Sequence, residues 1–436
     1  MVGGLIPLAG DTIALRHQNR VSLAMDTREI VIVGAGIVGL SIAWQLCRRG
    51  HHKVLMLEKG AGIGEGSTRA SSAVCRYRNS ATQMLRLARR GIDEYRNWAA
   101  FTGLSSPRAE FANDGVLWFT GEDTAWADRE HARMGALGIR TAILDNQALA
   151  EAFPAINPCT SEVDLARPDA HLCGGEGRHL LELDGGYMDP VNAAQDLLEA
   201  CRGAGVEVRF NARVADIEQA GGRVAGLVLA GGERIATGCV VNAAGPWCNE
   251  LYAAAGLQAP MPMTPVRIQV VYLDRTPAIA GTIPVCVDMQ RGIYFRTQNR
   301  GQQLLVSSVR EEDEQEQVDN PDHYLTVADD LFRLEKLHLL QHRLRGLVFD
   351  RSVRDYCGLY TVNQNDVHPV VGAYGPDGFF VANGFSGHGF KTAPAIGAML
   401  ARLITGDGLP GEDAQDDHWL SPTRDPIAID TRSVLA

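Results

Sequence analysis

Gly34, Gly36 and Gly39 follow the apolar, β-branched run from Ile30 to Val33 in G-x-G-x-x-G spacing, and Glu58 stands nineteen residues beyond the last of them. Each glycine answers a different need: Gly34 a tight turn, Gly36 the close approach of a pyrophosphate, Gly39 close packing of the following helix on the strand. Ile37 and Val38 lie inside the same turn. Glu58 ends a second short strand, Val54 to Leu57, where its carboxylate can accept hydrogen bonds from both ribose hydroxyls. Set between strand and helix and closed by an acid, the triplet predicts a dinucleotide site. Of the 41 basic residues only four are lysines, at 53, 59, 336 and 391, so a lysine inside a motif stands out.

A βαβ unit has to position these glycines. The helix after Gly39 carries Ile42, Ala43, Leu46 and Cys47 at helical spacing and stops near Gly50. A loop of small polar residues, GAGIGEGSTRASSAVCR, follows, and helical signals run from Gln83 to Phe101. A strand from Val116 to Thr120 and a helix from Asp123 to Leu137 come next. Asp189 and Pro190 predict a helix start and Gly203 its end, with a strand from Val206. Strands near Val224 to Leu229 and Cys239 to Asn242 extend the first unit. Between 260 and 350, alternation at Val266 to Leu273 and Gly292 to Arg296 predicts an antiparallel sheet that roofs a ligand. The acidic stretch EEDEQEQVDN, 311–320, reads as a solvated loop. A last strand, Gly378 to Val381, leads through Gly384 to Gly389 into a helix, Ala393 to Leu403, ended by Gly406.

At 436 residues the chain exceeds one typical domain, and 45% hydrophobic residues suffice for a large core. A net charge of −11 argues against a nucleic-acid partner. No apolar run approaches the ~20 residues of a membrane span. Residues 1–27 lack the apolar core of a signal peptide and read as an N-terminal extension, a disordered arm or start-site artefact ahead of the fold. The nine cysteines form no C-x-x-C pair and no His–Cys cluster, so no metal is expected and a reduced, cytoplasmic protein is.

These pieces, in this order, resemble the D-amino acid oxidase-like flavoprotein family, especially its sarcosine oxidase and dimethylglycine dehydrogenase branch. The resemblance rests on VIVGAGIVGLSIAWQL with LEKG, GSTRASSAVCR, VVNAAGPW, and GLYTVNQNDVHPVVG followed by GFSGHGFKTAPAIG. It spans about Glu29 to Gly406. It implies an α/β fold in which a Rossmann-like FAD-binding domain (GR2-type) joins a second, substrate domain built on an antiparallel sheet. The expected division is 28–115, 180–255 and 350–408 for the first, 116–179 and 256–349 for the second, and a C-terminal tail from 409 to 436. The implied activity is oxidation of the C–N bond of a small amino acid or secondary amine that carries a carboxylate, hydride passing to flavin N5. The same architecture also serves 2-hydroxy acid and polyol phosphate dehydrogenases and non-catalytic flavoprotein assembly factors. The second Gly-rich segment favours FAD over free nicotinamide, because N–H groups at a helix N-terminus suit the electron-rich N1–C2=O edge of a reduced flavin.

By the same resemblance, Ser67, Thr68, Ser71 and Ser72 lie along the pyrophosphate and flavin. Lys59, Val214, Ala244, Gly245, Trp247, Gly358, Gly384, Gly387, Gly389 and Phe390 complete the implied cofactor site. Arg76 and Lys391 are implied to grip the substrate carboxylate, the arginine through its fork and the lysine as a point charge. Arg76 is open to a plainer reading, a surface ion pair near Arg69 and Arg78. His388 either tunes protonation at the flavin or holds its loop, and Tyr294 either walls the substrate pocket or packs in the core. Where some relatives attach flavin through a cysteine, this chain has Gly358, and Cys357 faces the other side of a strand; non-covalent FAD is expected. Oxidases of the branch place a lysine near the flavin on a strand matched to Gln302 to Ser308, which has none. On that match electrons leave to a carrier or quinone, as in a dehydrogenase; the acceptor is otherwise O2, as in an oxidase. An oligomer is left open.

Overall fold

The computed structural model describes Met1 and residues 26–120, 123, 125–167, 171–348, 352–429 and 431–435. Residues 2–25 of the expected N-terminal arm lie outside the described residues; its last part, Asp26–Arg28, is a strand paired in parallel with Arg234–Thr237.

A six-stranded sheet runs in the order Val370–Ala373, Phe379–Asn383, Val240–Asn242, Ile30–Val33, Val54–Leu57, Glu207–Arg209. Its neighbours are parallel except for the first pair. All four residues of Ile30–Val33 are buried, as a parallel strand covered on both faces requires. Ile30 and Ile32 share a core with the helices Ile37–Arg48, Thr82–Arg96, Pro190–Gly203 and Gly389–Thr405, while Val31 and Val33 pack with Leu227 and Ile235 of a four-stranded sheet and with Tyr252. Asp189 caps Pro190–Gly203 by accepting from Asn192 N at 2.7 Å, and Pro190 sits in the first turn. The expected helix from Gln83 to Phe101 is two, Thr82–Arg96 and Trp98–Thr102, broken where Asn97 leaves helical backbone (φ −111°, ψ 36°).

The second sheet has eight strands: Arg354–Asn363, Met263–Asp274, Gln303–Ser308, Ile293–Gln298, Val285–Asp288, Val116–Phe119, Arg178–Glu182, Thr141–Asp145. Pairing is antiparallel throughout except between Val285–Asp288 and Val116–Phe119. Arg354–Asn363 therefore belongs to this sheet, although the expected boundary near 350 placed it with the nucleotide-binding half. One face buries Leu117, Phe119, Phe295 and Val306 against the helix Asp330–Arg343 through Phe332, Leu337 and Leu340. That helix falls where only sheet was expected; its exposed Leu331 and Leu334 blur the apolar stripe that would have announced it. The opposite face turns Val116, Trp118, Val270, Tyr294 and Leu305 toward the first unit.

The described residues of the tail after 409 pack on the fold: Asp416 pairs with Arg86 and Arg90, Asp417 with Arg402, and Leu420 is buried. One expectation changes here. The acidic stretch is more than a solvated loop. Asp313 accepts from Lys336 Nζ at 2.7 Å, and Glu311 and Glu314 accept from the Arg432 and Val434 backbone N–H groups at 2.6 and 2.8 Å. Acidic residues cluster here because they bind a lysine and the end of the tail.

Candidate functional site

The carboxyl ends of Ile30–Val33, Val54–Leu57 and Val240–Asn242 open onto a cavity of about 540 Å³. That is where open α/β sheets bind ligands, and the size lies in the ~300–1,000 Å³ range of small-molecule sites. At its floor is the glycine turn. Gly34 has φ +110°, and a Cβ there would lie 2.4 Å from Ala243 O; a Cβ on Gly39 would lie 2.1 Å from Gly34 O. No side chain fits either place, so the helix Ile37–Arg48 starts against the strand with its N-terminus facing the cavity. Thr68 Oγ1 accepts from Ile37 N at 3.0 Å and fixes the loop from 60 to 73 over this turn.

At one end Glu58 accepts from Ala35 N at 2.9 Å and Gly60 N at 2.8 Å, which holds its carboxylate at the wall. Lys59 Nζ stands 3.8 Å from the centre of the Trp247 ring and pairs with Asp322. Trp247 Nε1 and Arg213 Nη1 donate to the same Asp322 carboxylate at 2.9 and 3.2 Å. A loop from the second unit thus closes the first unit's cavity. At the other end Ser67 Oγ donates to Leu359 O at 2.6 Å, and Tyr360, Phe385, Gly387, Gly389 and Phe390 line the wall where Gly389–Thr405 begins. The cradle, the acid and the second helix N-terminus all fit FAD.

Most expected cofactor residues line this cavity: Gly34, Gly36, Ile37, Val38, Glu58, Lys59, Ser67, Thr68, Ser71, Val214, Ala244, Gly245, Trp247, Gly387, Gly389 and Phe390. Gly39 packs the helix instead. Ser72 and Gly358 line a small adjoining void with Tyr294 and Tyr360. Gly384 turns the chain at φ +72° against Met263.

His388 and Lys391 are buried beside the wall, Lys391 Nζ lying 2.9 Å from His388 Nδ1. Burial, with Arg76 as the next cause, holds the Lys391 ammonium well below the usual lysine range. Burial and the Lys391 charge do the same to His388. His388 Nε2 has no hydrogen-bond partner among the described residues.

Arg76 is buried, not at the surface. It donates to two backbone carbonyls, of Arg78 and of Val434. Burial first and the neighbouring Arg78 next lower it to about 10, against the pull of Glu182, Tyr360 and Glu314. Tyr294 donates to Ser72 Oγ at 3.0 Å, so it reaches across to the loop that carries Arg76. Two residues on, and so on the same face, Arg296 is buried, donates to Ser72 O at 2.6 Å and lies 4.4 Å over the Tyr187 ring. Sequence reasoning missed Arg296, though its alternation with Tyr294 could have found it. Asp322 was missed for want of any local signal.

Contrary to the expectation from spacing along the chain, the fold does assemble a His–Cys cluster. Cys159, His171, Cys173 and His342 bring one ligand atom each to within 4.8 Å of one another. The last lies 169 residues beyond Cys173, so spacing along the chain gave no warning. Among the described residues, no helix is long and apolar enough to cross a membrane.

The family model described as FAD dependent oxidoreductase (DAO) matches residues 29–403. FAD-dependent oxidoreductase domain-containing protein 1 of Xenopus laevis is 25% identical, over 88% of this chain and 81% of its own. The 4-methylaminobutanoate oxidase (formaldehyde-forming) of Paenarthrobacter nicotinovorans is 26% identical over 88% of this chain, which spans only 44% of that relative. Among solved structures, L-proline dehydrogenase from P. horikoshii superposes with a TM-score of 0.76 at 23% identity, covering 92% of this chain and 98% of that one.

Proposed function

The chain belongs to the DAO family of FAD-dependent oxidoreductases, and from that premise we propose that it oxidises the C–N bond of a small amino acid or N-alkyl amine bearing a carboxylate. The observation that carries this reading is the buried Arg76 guanidinium beyond the end of the cavity, set beside Lys391 and His388, whose charged forms burial opposes. A buried cation costs free energy unless an anion offsets it, and an anion there would also favour the charged form of Lys391. Glu182 is near Arg76 but is already engaged by the N–H groups of Tyr77 and Arg78 and by Trp118 Nε1. A substrate carboxylate supplies the missing charge, taking the place of the Val434 carbonyl on the Arg76 fork. The substrate named for the Paenarthrobacter nicotinovorans relative, 4-methylaminobutanoate, is of this class.

FAD, when bound, would accept hydride from the substrate carbon beside nitrogen. The chain's own groups orient the substrate. Arg76 and Lys391 hold its carboxylate, Arg296 lies on the roof side as a further cation, and Tyr294 and Tyr360 form an aromatic wall beside Gly358. Such positioning supplies much of the rate in a reaction of this kind. The FAD is held non-covalently: a Cβ at Gly358 would lie 2.4 Å from Ala70 Cβ, so a cysteine does not fit there, and Cys357 does not line the cavity. The electron acceptor is a carrier or quinone, since Gln303–Ser308 carries no lysine and the buried Lys336 is occupied by Asp313 and Glu335.

Substituting Arg76→Ala or Lys391→Met in flavin-loaded protein tests the clamp. Each is expected to lower kcat/KM for carboxylate substrates by about 30- to 1,000-fold, the equivalent of roughly 2–4 kcal/mol. Unchanged kcat/KM in both variants would remove the assignment.

A further inference from the structure

Away from the flavin cavity, Cys159, His171, Cys173 and His342 converge at the edge of the second unit, and we propose that they bind a structural zinc ion. Cys159 Sγ lies 3.3 Å from His171 Nε2, and Cys173 Sγ lies 3.7 Å from His342 Nε2. The two imidazoles meet edge to face at 4.3 Å between centroids. A tetrahedral zinc with Zn–S near 2.3 Å and Zn–N near 2.0–2.1 Å places its ligand atoms ~3.3–3.8 Å apart. Two of the six separations already have those values, and all fall within 4.8 Å. Closing by about 1 Å around an ion completes the set.

The surroundings are those of a metal site. His171 Nδ1 faces Glu162 O at 2.9 Å. A carbonyl only accepts, so Nδ1 carries the proton and Nε2 presents its lone pair to the cluster. Asn157 Nδ2 points at Cys173 Sγ (3.4 Å) and Arg291 Nη2 at Cys159 Sγ (3.8 Å), donors that favour thiolates. Arg343 Nη1 donates to Asn157 O and Cys159 O at 2.5 and 3.0 Å, which fixes the first ligand before any ion arrives. Cys159 is buried, Cys173 is exposed, and the histidines are half-buried, so an ion can reach the site from solvent.

Two thiolates and two neutral imidazoles suit zinc over magnesium or calcium, which prefer oxygen. Four protein ligands leave no open position, so the ion is a staple and not a catalyst. It ties the segment between Asn146–Ala152 and Arg178–Glu182 to the end of the helix Asp330–Arg343, across 169 residues of chain.

The test uses untagged, flavin-loaded protein and its Cys159→Ser/Cys173→Ser variant, with His171→Gln as a second variant if the first does not fold. Zinc and flavin are counted per chain after washing with a weak chelator. The expected result is about one zinc per chain in the parent, at least tenfold less in the variant, and equal flavin in both. Cobalt added to zinc-stripped parent should give the visible bands of a tetrahedral thiolate centre. The proposal is overturned if the parent takes up no stoichiometric zinc and shows no such bands. A Cys159–Cys173 disulfide that persists when zinc is supplied overturns it too.

Discussion

Burial first and the neighbouring Arg76 next oppose the Lys391 ammonium and hold it well below the usual lysine range. An anion arriving beside it reverses that balance and draws a proton from solvent. Binding of an unreactive carboxylate to the oxidised, flavin-loaded protein at pH 7–8 is therefore expected to take up protons, seen with a dissolved indicator dye. Lys391→Met should lose that uptake; an equal uptake in the variant would place the titration elsewhere. Gly39 offers a steric test. An alanine Cβ would press on Gly34 O at 2.1 Å, a backbone atom that can move only if the turn opens. Gly39→Ala is expected to yield folded protein with little bound flavin, or none folded at all, and full flavin content would contradict the turn's role. At this scale the sequence was legible where chemistry and spacing coincide, as in Gly34 to Gly39 and Glu58. It was silent where the fold makes the neighbourhood, as for Asp322 on Lys59 and Trp247, or Val434 on Arg76.

The end of the chain and the acidic turn Glu311–Glu314 act on one another. Burial raises the Glu314 carboxyl to about 8, with Asp313 and Glu311 adding to the rise and Val434 N–H and Arg76 opposing it. A carboxyl whose folded pKa exceeds its ordinary 4.5 contributes stability that is complete below 4.5 and is lost as pH rises through about 8. Glu314→Gln keeps a neutral acceptor for Val434 N–H. Its Tm relative to the parent should therefore improve from pH 5 to about pH 8 and then level off, whereas a constant difference would mean that Glu314 does not titrate there. Elements with a local start signal were readable: Asp189 and Pro190 opened Pro190–Gly203 where expected. Asp330–Arg343 was not, because two exposed leucines share its surface with the buried ones.

Across the molecule, the two sheets meet at one cavity, and each supplies what the other lacks. The parallel sheet brings strand ends and helix N-termini; the eight-stranded sheet brings Leu359, Tyr360 and Thr361, and its unit adds the loop with Asp322. Segments that alternate between the units fold together, and neither composition nor a linker marks the crossing at Arg354–Asn363. The absence of lysine from Gln303–Ser308 predicts that substrate-reduced protein is reoxidised by air at least tenfold more slowly than by a soluble quinone, a ratio that stopped-flow absorbance would give directly. The most direct test of the central claim is an anaerobic absorbance titration of the purified protein with N-methyl amino acids, D- and L-amino acids and 2-hydroxy acids. The reading predicts an oxidised-flavin band bleached by at least one carboxylate-bearing amine and untouched by the hydroxy acids. A flavin band that hydroxy acids bleach and no amine does would contradict it.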